Sequence, residues 1–350
     1  MTPVQDARGW LAERVPLNLD QLTHFGNEPV PNHLKRWWFC LGGTPAYLFL
    51  VQVVTGILLT FYYVPEPGKA YDSVRYITDE ATYGWFIRGL HKWSANLMIV
   101  AVVLHAMRVF FTGAYRKPRE LNWVIGSCIL GVVLLFGFTG YSLVYEQLSY
   151  WGATVAGNIT SAVPVMGDFL GAMLRGGERI GDNTLTRFFV LHIGVLPTVI
   201  TCLLFVHILL IRLIGVTEFH FADEDPEHPQ HFPFFPDHLL TEMAIGVVLM
   251  IVLTCLVCAF PPGLGERANP LVTPEHIKPE WYFFWAFRWL KLAGLKAAVV
   301  TQGLAAVLFA GWPWIDAAIR RRRPDSELSI FVGVVAFLFL LGLTLWEALA

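Results

Sequence analysis

The chain has 350 residues, 55% of them hydrophobic and only 15% charged, with a formal net charge of −2 and a mean hydropathy of +0.53. Soluble domains carry roughly a quarter charged residues, so composition excludes a soluble globular protein, and the near-zero charge gives no reason to expect a nucleic-acid partner. The apolar residues fall in runs of roughly 20, the length of a helix crossing a hydrocarbon core of about 30 Å, whereas a barrel would show ~10-residue alternating segments. The expected fold class is therefore an all-α, polytopic membrane protein. Five cysteines (Cys40, Cys128, Cys202, Cys255 and Cys258) are too few and too scattered for a disulfide framework.

In chain order, residues 1–37 read as a polar N-terminal interfacial segment with Asp6, Arg8, Glu13 and Arg14 and no apolar run of a signal peptide. Seven spans follow: A near 38–62, B near 88–111, C near 122–144, D near 187–213, E near 239–260, F near 298–318 and G near 328–348. The division expected is a four-helix domain over 38–216, an acidic linker over 217–238 and a three-helix domain over 239–350. Trp37, Trp38, Tyr62, Tyr63, Trp123, Trp312 and Trp314 cluster at span ends, as aromatic belts do. Basic loops after B (Arg116, Lys117, Arg119) and after F (Arg320 to Arg323) favour the negative side for the N-terminus. The acidic, histidine-rich loop after D runs against that asymmetry. The long loops after C and E, rich in Gly, Pro and aromatics, share the opposite side and are of a length that usually carries function.

Span B holds His91 and His105, fourteen residues apart, and span D holds His192 and His207, fifteen apart. At ~100° and ~1.5 Å per residue, fourteen residues return a side chain to within about 40° of the first, some 21 Å along the axis, and fifteen to within about 60°. A single histidine in a span is ordinarily a hydrogen-bonded interior residue. Four in two matched pairs point instead to two haem irons, each clamped by two imidazoles. Gly42 and Gly56 on A, and Gly126 and Gly140 on C, repeat the fourteen-residue step, and small residues let a flat macrocycle approach a helix backbone. Alternating span directions group Gly56, His91, Gly140 and His192 at one depth, and Gly42, His105, Gly126 and His207 at the other. Arg88, Arg108, Arg187 and Arg212 lie within two turns of these histidines, placed either to pair with haem propionates or to snorkel to headgroups. Cys255 and Cys258, mid-span and without a basic neighbour, read as packing residues.

The stretch His91-Lys-Trp-Ser-Ala-Asn…His105, with Lys117-Pro-Arg-Glu-Leu and Thr184-Leu-Thr-Arg-Phe-Phe-Val-Leu-His192, resembles cytochrome b of the bc and bf complexes. Tyr150-Trp-Gly-Ala-Thr154 and His276-Ile-Lys-Pro-Glu-Trp-Tyr282 are similar to the two segments that border the quinol-oxidation site there. Phe39-Cys-Leu-Gly-Gly43, Phe61-Tyr-Tyr63 and the fifteen-residue step on D resemble the chloroplast-type bf branch, whose four-helix cytochrome b and three-helix subunit four are usually separate chains and here look fused in one.

The resemblance implies a Q cycle, with quinol and quinone as substrates, a Rieske iron–sulphur protein and a c-type cytochrome subunit as partners, membrane lipids around it, and a homodimeric complex in a bacterial inner or other energy-transducing membrane. It implies a positive-side b haem on His91 and His192, with Gly56, Gly140 and Arg88, and a negative-side b haem on His105 and His207, with Gly42, Gly126 and Arg108. It further implies a covalent c-type haem on Cys40 with Arg212 nearby, and quinol oxidation by Pro279, Glu280, Trp281 and Tyr282 with Tyr141 and Gly152. One departure stands out. The family's Leu-Pro-Trp after the Gly-Tyr of span C is replaced in Gly140-Tyr-Ser-Leu-Val-Tyr-Glu-Gln147 by Leu-Val-Tyr. Two other classes fit part of the pattern: a di-haem membrane anchor of a dehydrogenase or hydrogenase, which leaves the Pro-Glu-Trp-Tyr loop unexplained, and a transporter with buried histidines, which leaves the paired spacings unexplained.

Overall fold

Within hydrocarbon a backbone has only its own amides to pair with, so each apolar run of this sequence closes into a helix. The computed structural model describes residues 29–31, 34, 41–177, 180–217 and 231–350. In chain order they form β1 (Pro29–Pro31), α1 (Gly43–Thr60), α2 (Ala70–Asp79), α3 (Gly84–Phe111), α4 (Glu120–Leu143), α5 (Gln147–Ser161), α6 (Gly167–Arg175) and α7 (Asp182–Val190). One wide turn at Leu191–Val195 leads into α8 (Leu196–Ile214), followed by β2 (His231–Pro233), α9 (Leu239–Ala259), α10 (Phe284–Ala293), α11 (Leu295–Ala310), α12 (Trp312–Arg322) and α13 (Leu328–Leu349). Among the described residues, six helical stretches are long and apolar enough to cross a membrane, and α11 with α12 forms a seventh if the bent pair counts as one. The chain is an integral membrane protein. The N-terminal segment 1–37 and the linker 217–238 fall largely outside the described residues.

Spans A, B, C, E and G are the helices α1, α3, α4, α9 and α13. Span F corresponds to a bent pair, α11 and α12, which meet at 63°. Gly311 separates them and Pro313 opens α12. A proline removes the amide that would bond the carbonyl four residues earlier, and its ring crowds that carbonyl. That carbonyl belongs to Phe309, and the Trp123 indole N–H donates to it at 2.8 Å. The bend is thus satisfied from a neighbouring helix rather than left as a polar gap.

The fold divides into two units, residues 1–47 with 216–252, and residues 48–215 with 253–350. In the first, β1 and β2 pair antiparallel with Val30 opposite Phe232, and the Glu242 carboxylate lies against Gly43. In the second, α4 packs along α8 and α10 along α13, around a core that includes Leu48, Val133, Ile200, Leu253 and Val257. Cys255 and Cys258 were expected to pack; both are exposed on the outer face of α9, while Leu253 and Val257 take its buried face.

Two buried carboxylates tie α10, α12 and α13 down. Asp316 on α12 accepts from Ser329 on α13 and from Arg116 Nε at 2.9 Å, in the loop between α3 and α4. Glu347 on α13 is fully buried with Arg288 Nε at 2.9 Å and Lys291 Nζ at 2.5 Å, both on α10. Removing one partner of a buried pair leaves an uncompensated charge, which costs about 3–5 kcal/mol. Glu347→Ala is expected to destabilise the purified complex by about 3 kcal/mol, the low end because Lys291 remains in reach of solvent; a lowered thermal unfolding midpoint checks it.

Candidate functional site

The site is built from residues 48–60 of α1, from α3 and α4 and from the α7–α8 stretch, all within the second unit. His91 on α3 faces His192, which sits in the wide turn, with ring centroids 6.3 Å apart and planes at 69°. Each ring is held from behind by a threonine: Thr55 Oγ1 is 2.9 Å from His91 Nδ1, and Thr139 Oγ1 is 2.9 Å from His192 Nδ1. The threonine hydroxyl hydrogens are already engaged, donated to the carbonyls of Val51 at 2.6 Å and Leu135 at 2.8 Å. Each Oγ1 must therefore accept, each histidine Nδ1 must carry the proton, and each Nε2 is left with a free lone pair. That is the tautomer a metal ligand needs.

Three of the four paired glycines lie against histidine rings. A Cβ on Gly56 would lie 3.3 Å from the His91 ring, one on Gly140 2.8 Å from the His192 ring, and one on Gly126 3.4 Å from the His207 ring. At the other level His105 lies in electrostatic reach of His207 and Arg108, and its Nδ1 is buried without a hydrogen-bond partner among the described residues. Gly42 lies in a short turn ahead of α1, in the first unit.

The wide turn resolves the unequal histidine spacings. An i→i+5 turn absorbs about one extra residue, so the fifteen residues from His192 to His207 behave like the fourteen from His91 to His105. Both pairs then carry the same offset of about 40°. The Leu191–Val195 turn and the Pro197 that follows it are where the extra residue is taken up.

A cavity of about 630 Å³ opens at the His91/His192 level, lined by both histidines, Gly56 and Gly140 and also by Tyr141, Glu146, Glu280 and Tyr282. The Pro-Glu-Trp-Tyr turn is clamped to the histidine-bearing helix by two side chains one turn apart. Lys92 Nζ lies 3.4 Å from Glu280 Oε1, and Trp281 Nε1 donates to Asn96 Oδ1 at 2.6 Å. Burial first, and the Glu280 charge second, push the Tyr282 phenol above its ordinary range, so it is a neutral hydrogen-bond donor. Pro279 precedes this turn, and Gly152 on α5 gives Tyr141 room, since a Cβ there would lie 3.2 Å from its ring.

A profile described as "Cytochrome b/b6/petB" matches residues 25–215, and one described as "Cytochrome b(C-terminal)/b6/petD" matches residues 267–348. The chain belongs to the cytochrome b/b6 family. It is 35% identical over 341 residues to the cytochrome bc complex cytochrome b subunit of Chlorobaculum thiosulfatiphilum, covering 95% of this chain and 78% of that one. It is 44% identical over 209 residues to the cytochrome b6 of Heliomicrobium gestii, covering 60% of this chain and 98% of that protein. A solved structure titled "Hyperthermophilic respiratory Complex III" superposes with a TM-score of 0.83 at 28% identity, covering 97% of this chain and 91% of that one. This cytochrome b is thus a subunit of a bc/b6f-type quinol oxidoreductase, with b6-like and subunit-four-like parts fused in one chain. The di-haem anchor reading does not account for the match through 267–348.

Membership implies b-type haems, and the chain's residues fit them. Two imidazoles cannot complete a metal's coordination, but a macrocycle brings four nitrogens of its own. Metal–nitrogen bonds of about 2.0 Å on each side plus the radii of the two rings put facing centroids about 6 Å apart, which the His91/His192 pair matches. The arginines are placed differently from a simple propionate ring. Arg88 donates to the carbonyls of Pro262 at 2.8 Å and Gly263 at 2.9 Å, and Arg187 donates to Ala172 and Met173 at the end of α6. Arg212 lies in the last turn of α8, and Cys40 lies outside the described residues.

Thr55 and Thr139 were missed by sequence reasoning, although the signal was present: each immediately precedes one of the paired glycines, while Leu41 and Ile125 precede the other two. Removing such a partner typically costs 10–100-fold in metal affinity. Thr139→Val is therefore expected to lower b-haem retention by about 10-fold, measured as haem content per complex after detergent washing.

Proposed function

We propose that the cavity at the His91/His192 level is the quinol-oxidation site of this subunit, and that the chain runs a Q cycle with a Rieske iron–sulphur protein and a c-type cytochrome as external partners in a homodimeric complex. The single observation that supports this best is that one continuous cavity is lined both by the histidine pair and by Glu280 and Tyr282. Its volume lies within the ~300–1,000 Å³ range of sites for small organic ligands. When bound, the two b haems supply one-electron carriers stacked across the membrane, held by His91 with His192 and by His105 with His207.

The residues of the chain divide the remaining work. Tyr282 and Tyr141 offer hydroxyls that orient a quinol headgroup against the apolar wall. Glu280 accepts a quinol proton at a carboxylate oxygen, and Lys92 Nζ, 3.4 Å from that carboxylate, positions it. Trp281, fixed on Asn96, keeps the turn from sliding along α3. The N-terminus lies on the negative side, as the basic loops after α3 and α12 favour. There the resemblance gives Cys40 one thioether bond to a c-type haem beside the quinone-reduction site.

Glu280→Gln keeps the shape of the site and removes the base. The expected outcome is quinol oxidation slowed by about 10²-fold, in the range of general acid–base contributions, with both b-haem spectra unchanged; wild-type turnover would refute the role. For Cys40, haem staining of the subunit after denaturing electrophoresis is expected in the wild type and lost in Cys40→Ser. A blank lane in the wild type, with b haems still extractable, returns Cys40 to a packing role.

A further inference from the structure

We propose that Glu146 is a second proton-carrying carboxylate of the quinol cavity, taking the proton from Glu280 and releasing it to the aqueous face. The inference rests on the reading of this cavity as the quinol-oxidation site. Glu146 lies in the turn where the chain departs from its family's Leu-Pro-Trp pattern. Without that proline and tryptophan, Tyr145 adopts a left-handed backbone conformation at φ 55°, and Glu146 lines the same cavity wall as Glu280. The two carboxylates come from the two different long loops. Tyr141 on α4 lines the same cavity, is in electrostatic reach of both and carries a hydroxyl that can pass a proton.

The carboxylate is positioned from outside. Its Oε2 accepts the Gly265 N–H at 2.7 Å, and a Cβ on Gly265 would lie 2.9 Å from that oxygen. That leaves Oε1 for the proton. The next residue continues the join: Gln147 N–H donates to Glu266 O at 2.8 Å, and Gln147 Oε1 accepts from Asn269 N–H at 2.6 Å. Arg88 on α3 lies in electrostatic reach of Glu146. An exit is adjacent. Arg267 bridges to the Glu146 backbone and pairs with Asp72 of α2, both side chains reaching solvent. Beside them the Tyr71 hydroxyl donates to Gly265 O at 2.7 Å. The charged and titratable groups around the Glu146 turn are therefore Arg88, Tyr141, Glu266, Arg267 and Asp72.

The step moves a proton and no electrons. The O–H bond of neutral Glu280 breaks, an O–H bond forms at Glu146 Oε1, and Glu280 is again an anion able to accept from the next quinol. Glu146 then loses the proton to water beside Arg267 and Asp72.

The test uses the whole complex carrying Glu146→Gln, Glu146→Ala, Glu280→Gln or the Glu146→Gln/Glu280→Gln pair. It reads the pH profile of quinol oxidation and, independently of turnover, the titrating carboxyl bands in infrared difference spectra. Glutamine keeps an acceptor for the Gly265 N–H, so a structural role predicts that Glu146→Gln behaves as wild type and only Glu146→Ala fails. The relay predicts that Glu146→Gln loses a titrating carboxyl band and slows turnover by about 10-fold with an altered pH profile, less than a group in direct contact with substrate. It also predicts a double variant no slower than the slower single one, because groups in series are not additive. A wild-type profile and unchanged bands in Glu146→Gln, or multiplicative losses in the double variant, overturn the relay alone. Wild-type turnover in Glu280→Gln overturns the reading of Glu280, and the relay with it.

Discussion

The arrangement depends on one constraint: an imidazole inside a membrane bundle must have a partner for every polar atom, because none is available from lipid. At the His91/His192 level that requirement is met in a fixed order. A backbone carbonyl accepts from a threonine hydroxyl, the threonine oxygen accepts from Nδ1, and the remaining nitrogen of each ring faces the gap. The chain of donors leaves no choice of tautomer. Binding of a metal-centred macrocycle then completes a set of polar groups that would otherwise be stranded, which couples cofactor retention to the packing of α1, α3 and α4.

The same helix that presents His91 also fixes the pocket. Going along α3, Arg88 holds the carbonyls of 262 and 263, Lys92 holds Glu280, Trp93 donates to Phe260 O at 2.9 Å, and Asn96 holds Trp281. These four contacts lie within little more than two turns, so the loop after α9 is fitted to α3 before it enters α10. On the far side α10 is pinned by Glu347, a carboxylate whose two cations both belong to α10. A pocket wall held at both ends keeps substrate-facing groups at constant distance from the histidine pair, and proximity of that kind is worth more to an electron- and proton-transfer site than any one added contact.

Much of this was legible in the sequence, and the parts that were not have physical causes. Apolar runs gave the spans because hydrocarbon admits few alternatives to a helix. The bend in span F was not legible because hydropathy does not register that Pro313 leaves a carbonyl for a tryptophan on another helix. The fifteen-residue step on span D looked like a 60° offset because a wide turn cannot be seen from composition. Thr55 and Thr139 escaped because a threonine in a span is ordinarily bonded to its own backbone; these are, and they serve the histidines with the oxygen left over. The arginines were grouped by distance along the helix, whereas Arg88 and Arg187 are directed by backbone carbonyls of other segments that sequence spacing does not place.

The two histidine levels are not equivalent, and the difference is written in four neighbouring positions. Thr-Gly precedes the close approach at 55–56 and 139–140, whereas Leu-Gly and Ile-Gly occupy 41–42 and 125–126. A hydrogen bond accepted from Nδ1 fixes ring orientation and makes the opposite nitrogen a stronger donor to a metal. His91 and His192 both have that support, while the Nδ1 of His105 has none among the described residues. Two otherwise matched histidine pairs, with the same helical offset, therefore differ in how their rings are supported, and that asymmetry comes from the chain itself.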